Sequence, residues 1–111
     1  MSFIAVYITH ENMEQAERVA RRLLEKRLAA CANFFPVRST YWWKGKLEDA
    51  QEVVSLLKTR LELWEPLMAE VKRLHPYEVP CIERLEVRAN DDYEAWVRAQ
   101  TGPEALGQSP P

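Results

Sequence analysis

The sequence predicts an α+β domain built on one antiparallel sheet, and three observations carry that expectation. Short β-branched and aromatic runs alternate with two segments whose apolar residues recur at helical spacing. Two long strand-like runs of similar length flank Gly45, as the arms of a hairpin do. The chain has 111 residues, the size of one domain with one core, and shows neither an internal repeat nor a linker that would divide it. Residues 1–101 are therefore expected to form a single domain. Residues 102–111 (GPEALGQSPP) carry too little apolar surface to order themselves and are expected to form a flexible tail.

Residues 3–9 (FIAVYIT) read as a buried strand that stops at the polar His10-Glu11-Asn12. Asn12 with Gln15 makes a capping box, and Ala16, Val19, Ala20, Leu23, Leu24 and Leu28 form one helical face, with Lys26 and Arg27 in the last turn. Residues 32–43 (ANFFPVRSTYWW) read as a strand whose Pro36 argues for an edge. Lys44-Gly45-Lys46 turns the chain into a second arm, residues 47–59, with Val53, Val54, Leu56 and Leu57 buried. Residues 63–75 place Trp64, Leu67, Met68, Val71 and Leu74 on one helical face, with Pro66 in the first turn and His75-Pro76 as the stop. Residues 81–87 (CIERLEV) alternate as a fourth strand. Asp91 and Glu94 can cap a short C-terminal helix that buries Tyr93, Trp96 and Val97.

The order β-α-β-β-α-β is the ferredoxin-like arrangement: strand order 4-1-3-2, both main helices on one face, and the second and fourth strands at opposite edges. Each hairpin arm of about 12 residues would reach about 40 Å, whereas helices of about 15 residues cover about 23 Å. The end bearing Tyr41, Trp42 and Trp43 should thus project past the core. Adjacent tryptophans on a strand face opposite ways, so one can enter the domain's own core while the other needs a second subunit. Edge strands on both sides permit head-to-tail pairing into a closed ring.

Composition excludes several functions. The formal net charge of −2 gives no overall attraction to nucleic acid or an anionic membrane. Although RNA-recognition modules share this element order, the run LEDAQEVVSLLKT is acidic and aliphatic and lacks their signature. No apolar run reaches the roughly 18 residues of a membrane span, and the N-terminus lacks signal-peptide character, so a cytoplasmic protein is expected, with Cys31 and Cys81 reduced. Nucleophile elbow, P-loop and GxGxxG are absent, which speaks against an enzyme.

The residues with metal-ligand chemistry nearest strand ends are Cys31, His75, Glu78, Cys81 and Glu83. Their spacing matches no preformed zinc site, and the simplest role for Cys31 is a buried small hydrophobe. Cys31 and Cys81 begin strands on opposite edges, so they should lie far apart in one subunit and could approach only across a ring interface, as a weak soft-metal site. The loop His75-Pro76-Tyr77-Glu78-Val79-Pro80 is at least a rigid corner, and it could hold His75, Tyr77 and Glu78 at a cleft. Lys58 is a further cleft-lining candidate.

RLAACAN (27–33), YWWKGKLED with EVVSLLKT (41–59), HPYEVP (75–80) and YEAW (93–96) together resemble the CutA divalent-cation-tolerance family, in register over nearly the whole chain. The resemblance implies a tight homotrimer of ferredoxin-like subunits, similar in architecture to the PII signalling proteins, and a role in divalent-metal tolerance with copper as the usual metal. On that basis Cys31, His75, Glu78 and Cys81 are the expected metal residues. Lys58, Tyr77 and Trp96 line the expected cleft, and Tyr41, Trp42 and Trp43 form the trimer interface. A signalling trimer that binds a small ligand and a partner protein is the second expectation. Two positions depart from the family pattern: Cys81 stands where Glu is usual, and Thr9-His10-Glu11-Asn12 replaces a Thr-x-Pro turn.

Overall fold

The computed structural model describes residues 3–103. Strand β1 (Phe3–His10) leads into helix α1 (Met13–Glu25). Strands β2 (Cys31–Trp43) and β3 (Lys46–Arg60) form the hairpin. A 3-10 turn (Leu61–Leu63) opens helix α2 (Trp64–Leu74), and β4 (Ile82–Val87) and helix α3 (Asp91–Gln100) follow. The four strands form one antiparallel sheet in the order β2-β3-β1-β4, the expected order read from the other edge.

The period of two along β1 decides which face is which. Ile4, Val6 and Ile8 point to one face and pack with Val19 and Leu23 of α1, Leu57 of β3, and Leu67 and Val71 of α2 in one buried cluster. This is the core, with both main helices on one side of the sheet. Phe3, Ala5, Tyr7 and Thr9 point to the other face. There α3 covers only one end, where the Tyr93 ring meets Phe3 edge-on at 6.0 Å.

Local chemistry sets the boundaries. The Asn12 side chain accepts from the Gln15 amide at 2.8 Å and fixes the start of α1. That helix stops at Glu25, earlier than its basic residues suggest, because Arg27 adopts φ 59°. Leu28 N–H then bonds Leu23 O at 2.9 Å and Arg27 N–H bonds Leu24 O at 3.0 Å, the paired closure of a Schellman end. Pro66 falls in the first turn of α2, where its missing N–H costs no helical bond. For α3 the expected cap at Asp91 is replaced: Asn90 occupies the cap position, and Glu94 reaches back to the Ala89 amide at 2.7 Å. Trp96 is not buried as expected but 43 % exposed, stacked on Tyr93 at 5.7 Å. At the end of α3, Gly102 is buried and its N–H bonds Arg27 O at 2.9 Å. The remainder of the expected tail, 104–111, lies outside the described residues.

The hairpin arms hold 13 and 15 residues in continuous register from Cys31↔Lys58 to Trp43↔Lys46. The turn is thus two residues, Lys44-Gly45, rather than three. Both have positive φ (50° and 82°), the type I′ geometry that matches strand twist and that Gly45 adopts without strain. One tryptophan was expected to enter the domain's own core, and neither does: Trp42 is 71 % and Trp43 37 % exposed, with Tyr41 and Leu47 also exposed beside them. Their half of the hairpin lies beyond the reach of α1 and α2, so no helix covers either face of it.

Candidate functional site

The residues singled out from sequence fall into two groups on the sheet face opposite α1 and α2. Cys31, Lys58 and Trp96 gather under α3. Cys31 pairs across the ladder with Lys58, whose ammonium donates to Asn33 Oδ1. Cys31 Sγ lies 3.1 Å from the Tyr93 hydroxyl, and Tyr93 stacks on Trp96. Burial, then the neighbouring Cys31, pushes the Tyr93 phenol up to about 12.

Tyr77, Glu78 and Cys81 gather at the other end, where the 75–81 loop meets β1, β3 and the hairpin. The Tyr77 hydroxyl donates to Glu52 Oε2 at 2.7 Å, and burial followed by Glu52 raises its pKa. Glu78 faces Lys44 of the hairpin turn at 3.8 Å. Cys81 Sγ–H donates to Glu83 Oε1 at 3.1 Å, and burial, then Glu83 and Glu52, pushes the thiol up to about 11. Tyr7, opposite Glu83 in the ladder, is raised by burial and then by Cys81, Glu83 and Glu52. The patch is therefore electronegative, and a cation seated there would be favoured while an anion would be repelled. Beside Glu52 an open groove of about 580 Å³ runs between Glu11, Met13, Pro36, Arg38 and Gln51.

Cys31 and Cys81 sit on opposite sheet edges, three strand spacings or about 14 Å apart in the pairing direction alone. Among the described residues no three His, Cys, Asp or Glu side chains converge to hold a metal ion. What the described residues bring together is a thiol–carboxylate pair, Cys81 with Glu83.

His75 takes a different role from the one expected. Its Nε2 lies 2.7 Å from Thr9 O, and since a carbonyl only accepts, Nε2 carries the proton. Nδ1 then accepts the Tyr77 amide at 3.2 Å. Nε2 thus ties the loop to β1 while Nδ1 holds the loop's own backbone, and both ring nitrogens are engaged within the chain in this conformation. Its ring stacks on His10 at 5.1 Å with 23° between planes. His10, Ser55 and Glu52 were absent from the sequence-derived candidates. The signal for His10 was the alternation Ile4, Val6, Ile8, which continues one step further to the core face. No comparable pattern marks Glu52, because its partner is brought by a loop.

The sequence pattern of the CutA1 divalent ion tolerance proteins matches residues 4–100. The chain belongs to the CutA1 family. It is 48 % identical over 99 residues to the divalent-cation tolerance protein CutA of Pyrococcus horikoshii, covering 88 % of this chain and 97 % of that protein. The crystal structure of CutA1 from Oryza sativa superposes with a TM-score of 0.88 at 34 % identity, over 93 % of this chain and 96 % of the other. The periplasmic divalent cation tolerance protein CutA from Archaeoglobus fulgidus superposes at 0.84 with 44 % identity, over 86 % and 94 %. The CutA1 fold thus extends over β1 to α3, the span that holds both groups of candidate residues. Among the described residues no helix is long and apolar enough to cross a membrane.

Proposed function

We propose that this CutA1-family chain acts in the cytoplasm as a non-enzymatic homotrimer that holds a divalent cation, copper above others, weakly in a cleft between subunits. The observation that carries the cation role is the Cys81–Glu83 pair at the β4 edge, set beside the charge of Glu52. Thiolate with carboxylate suits a borderline-soft divalent ion. Two donors are half a shell, and the second half requires the face bearing Cys31 to be brought in by another copy. Binding is weak because the thiol, held near 11, must first lose its proton, so each cation bound at neutral pH releases one.

The oligomer is supported by the exposed Tyr41, Trp42, Trp43 and Leu47, which line a hairpin that no part of the same core covers. The number three is what the resemblance to the CutA family implies. The groove beside Glu52, with Arg38 and Gln51 on its wall, favours as a second reading a signalling trimer that binds a small polar ligand there and a partner protein through the hairpins.

Calorimetric titration with Cu(II), Zn(II) and nucleotides separates these. The expected result is Cu(II) binding that strengthens about tenfold per pH unit and is lost in Cys81→Ser. Cu(II) affinity unchanged in Cys81→Ser would overturn the site, and nucleotide binding without metal binding would favour the signalling trimer.

A further inference from the structure

Glu52 is a buried carboxylate without a counter-charge in its own chain. It is 8 % exposed and its Oε2 accepts the Tyr77 hydroxyl at 2.7 Å, yet no lysine, arginine or histidine among the described residues pairs with it. The other buried carboxylates among those residues are matched: Glu70 by Arg22, Lys26 and Arg73, and Glu94 by Arg88 and the Ala89 amide. The groups that feel the charge of Glu52 are Tyr7, Tyr77 and Cys81, none of them a cation, and each is raised by burial first and by Glu52 in addition. A carboxylate withdrawn from water with no cation beside it is costly, so this one marks a surface at which a cation arrives.

We propose that the cation is Lys58 of the partner subunit, so that Glu52 and Lys58 form an ion pair across the interface between copies. Residues 52, 54, 56 and 58 share the face of β3 opposite to Leu57 and the core. Six residues at about 3.3 Å each put the two ends about 20 Å apart, so the pair cannot close within one chain. Lys58 is half-buried and gives one hydrogen bond, to Asn33 Oδ1, which leaves its ammonium with donors to spare. Other cations are committed or misplaced. Arg88 faces Glu94, Arg84 faces Glu86 and the Trp64 ring, Lys44 faces Glu78, and Arg60 donates to Thr101 O. Arg38 is opposite Gln51 in the ladder and so lies on the other face from Glu52.

The pair rests on the proposed cleft and adds the contact that orients it. Lys58 is the ladder partner of Cys31, while Glu52 stands with Tyr77 and Cys81 at the other end of the same face. Bringing the Cys31 edge of one copy to the Cys81 edge of the next therefore carries Lys58 toward Glu52. In a head-to-tail ring one such pair forms at every interface. A charge pair that closes only between copies acts on which surfaces meet as well as on how tightly they hold.

A double-mutant cycle on the dissociation of the whole chain, followed by sedimentation equilibrium in EDTA, tests the pair. Glu52→Gln keeps an acceptor for Tyr77, and Lys58→Met keeps the length of the side chain. Each should raise the protein concentration at half-dissociation by at least about tenfold, and the double variant should be no worse than the more damaging single one. Lys58→Arg, which keeps the charge, should stay near the native value. Within one chain, sites about 20 Å apart act additively, so the failure of additivity reads a contact between subunits. Three results would overturn the pair: additive losses, Lys58→Met dissociating as the native chain does, or Glu52 coupled to Lys46 in place of Lys58. A native chain that is monomeric would overturn it together with the cleft. Coupling found in a chain that binds no Cu(II) would leave the pair standing while the cation reading fails, and additive losses in a chain that assembles and binds Cu(II) would do the reverse. Lys58 lies outside the buried core cluster, so a Glu52→Gln chain that fails to fold leaves the Lys58→Met result to decide.

Discussion

Trp42→Ala is the sharpest perturbation of the assembly. In the isolated chain this side chain is 71 % exposed, and a tryptophan buries about 200 Å² when fully covered. About 140 Å² is thus available to an adjoining subunit. At about 25 cal/mol per Å², covering it contributes about 3.5 kcal/mol per subunit, and truncation to alanine forfeits most of that. One such contact corresponds to a factor of about 300 in a dissociation constant, and a ring breaks more than one contact when a subunit leaves. The monomer's own fold should be unaffected, because Trp42 lies on the hairpin beyond the buried cluster. Sedimentation equilibrium across a dilution series, with circular dichroism as the fold control, measures both. The expected outcome is dissociation at protein concentrations at least about 100-fold higher than for the native chain, with an unchanged spectrum. A dissociation curve that coincides with the native one would show that Trp42 is simply a solvated tryptophan and would remove the hairpin from the interface.

Three further outcomes follow from the interior. His10 has its folded-state pKa lowered from 6.5 to about 4 by burial and by His75, so its neutral form is the one that folds; stability is full above pH 6.5 and is lost as pH falls toward 4, by at most about 3 kcal/mol. Urea midpoints measured from pH 7 to 4 should show that loss, and His10→Phe should flatten it. The Arg73 hydrogen bond, with help from Lys26, holds the Glu70 carboxyl near 2, so its contribution is present above the ordinary carboxylate range and disappears as pH falls toward 2. The basic partners are well exposed and screened by solvent, so Glu70→Gln should cost no more than about 1 kcal/mol in chemical denaturation, and less in high salt. Leu67→Ala, at a fully buried α2 position facing Val6 and Ile8, should cost about 2–5 kcal/mol on the same assay.

Local rules made the fold legible. Asn12, Gly45, Pro66 and the His75-Pro76 step each punctuate the chain by their own backbone chemistry, and the element order then leaves few ways to build the sheet. Termini moved where a nonlocal preference won. Arg27 accepts a left-handed conformation because the closing bonds of α1 and its own contacts to Gln100 hold it there, and β1 runs on through His10 because His75 and Ser55 give the imidazole a buried place. The site was legible in its residue types but not in its grouping. Cys81 and Glu83 share a strand face by simple alternation, whereas the separation of Cys31 from Cys81 needs the whole sheet order. The engagement of His75 Nε2 depends on Thr9, which is 66 residues away in sequence and marked by no motif. Both tryptophans lie outside the core because the hairpin is longer than the helices that could cover it.

The intersubunit cleft stands or falls with the assembly, and the mass of the native chain in solution tests it most directly. Light scattering on a column-purified sample should give about 39 kDa, three times the 13.0 kDa chain, and hold that value down to micromolar concentration. A mass of 13.0 kDa under the same conditions would leave Trp42 and Trp43 bare, strand Cys81 and Glu83 without the donors a second copy must bring, and contradict the account.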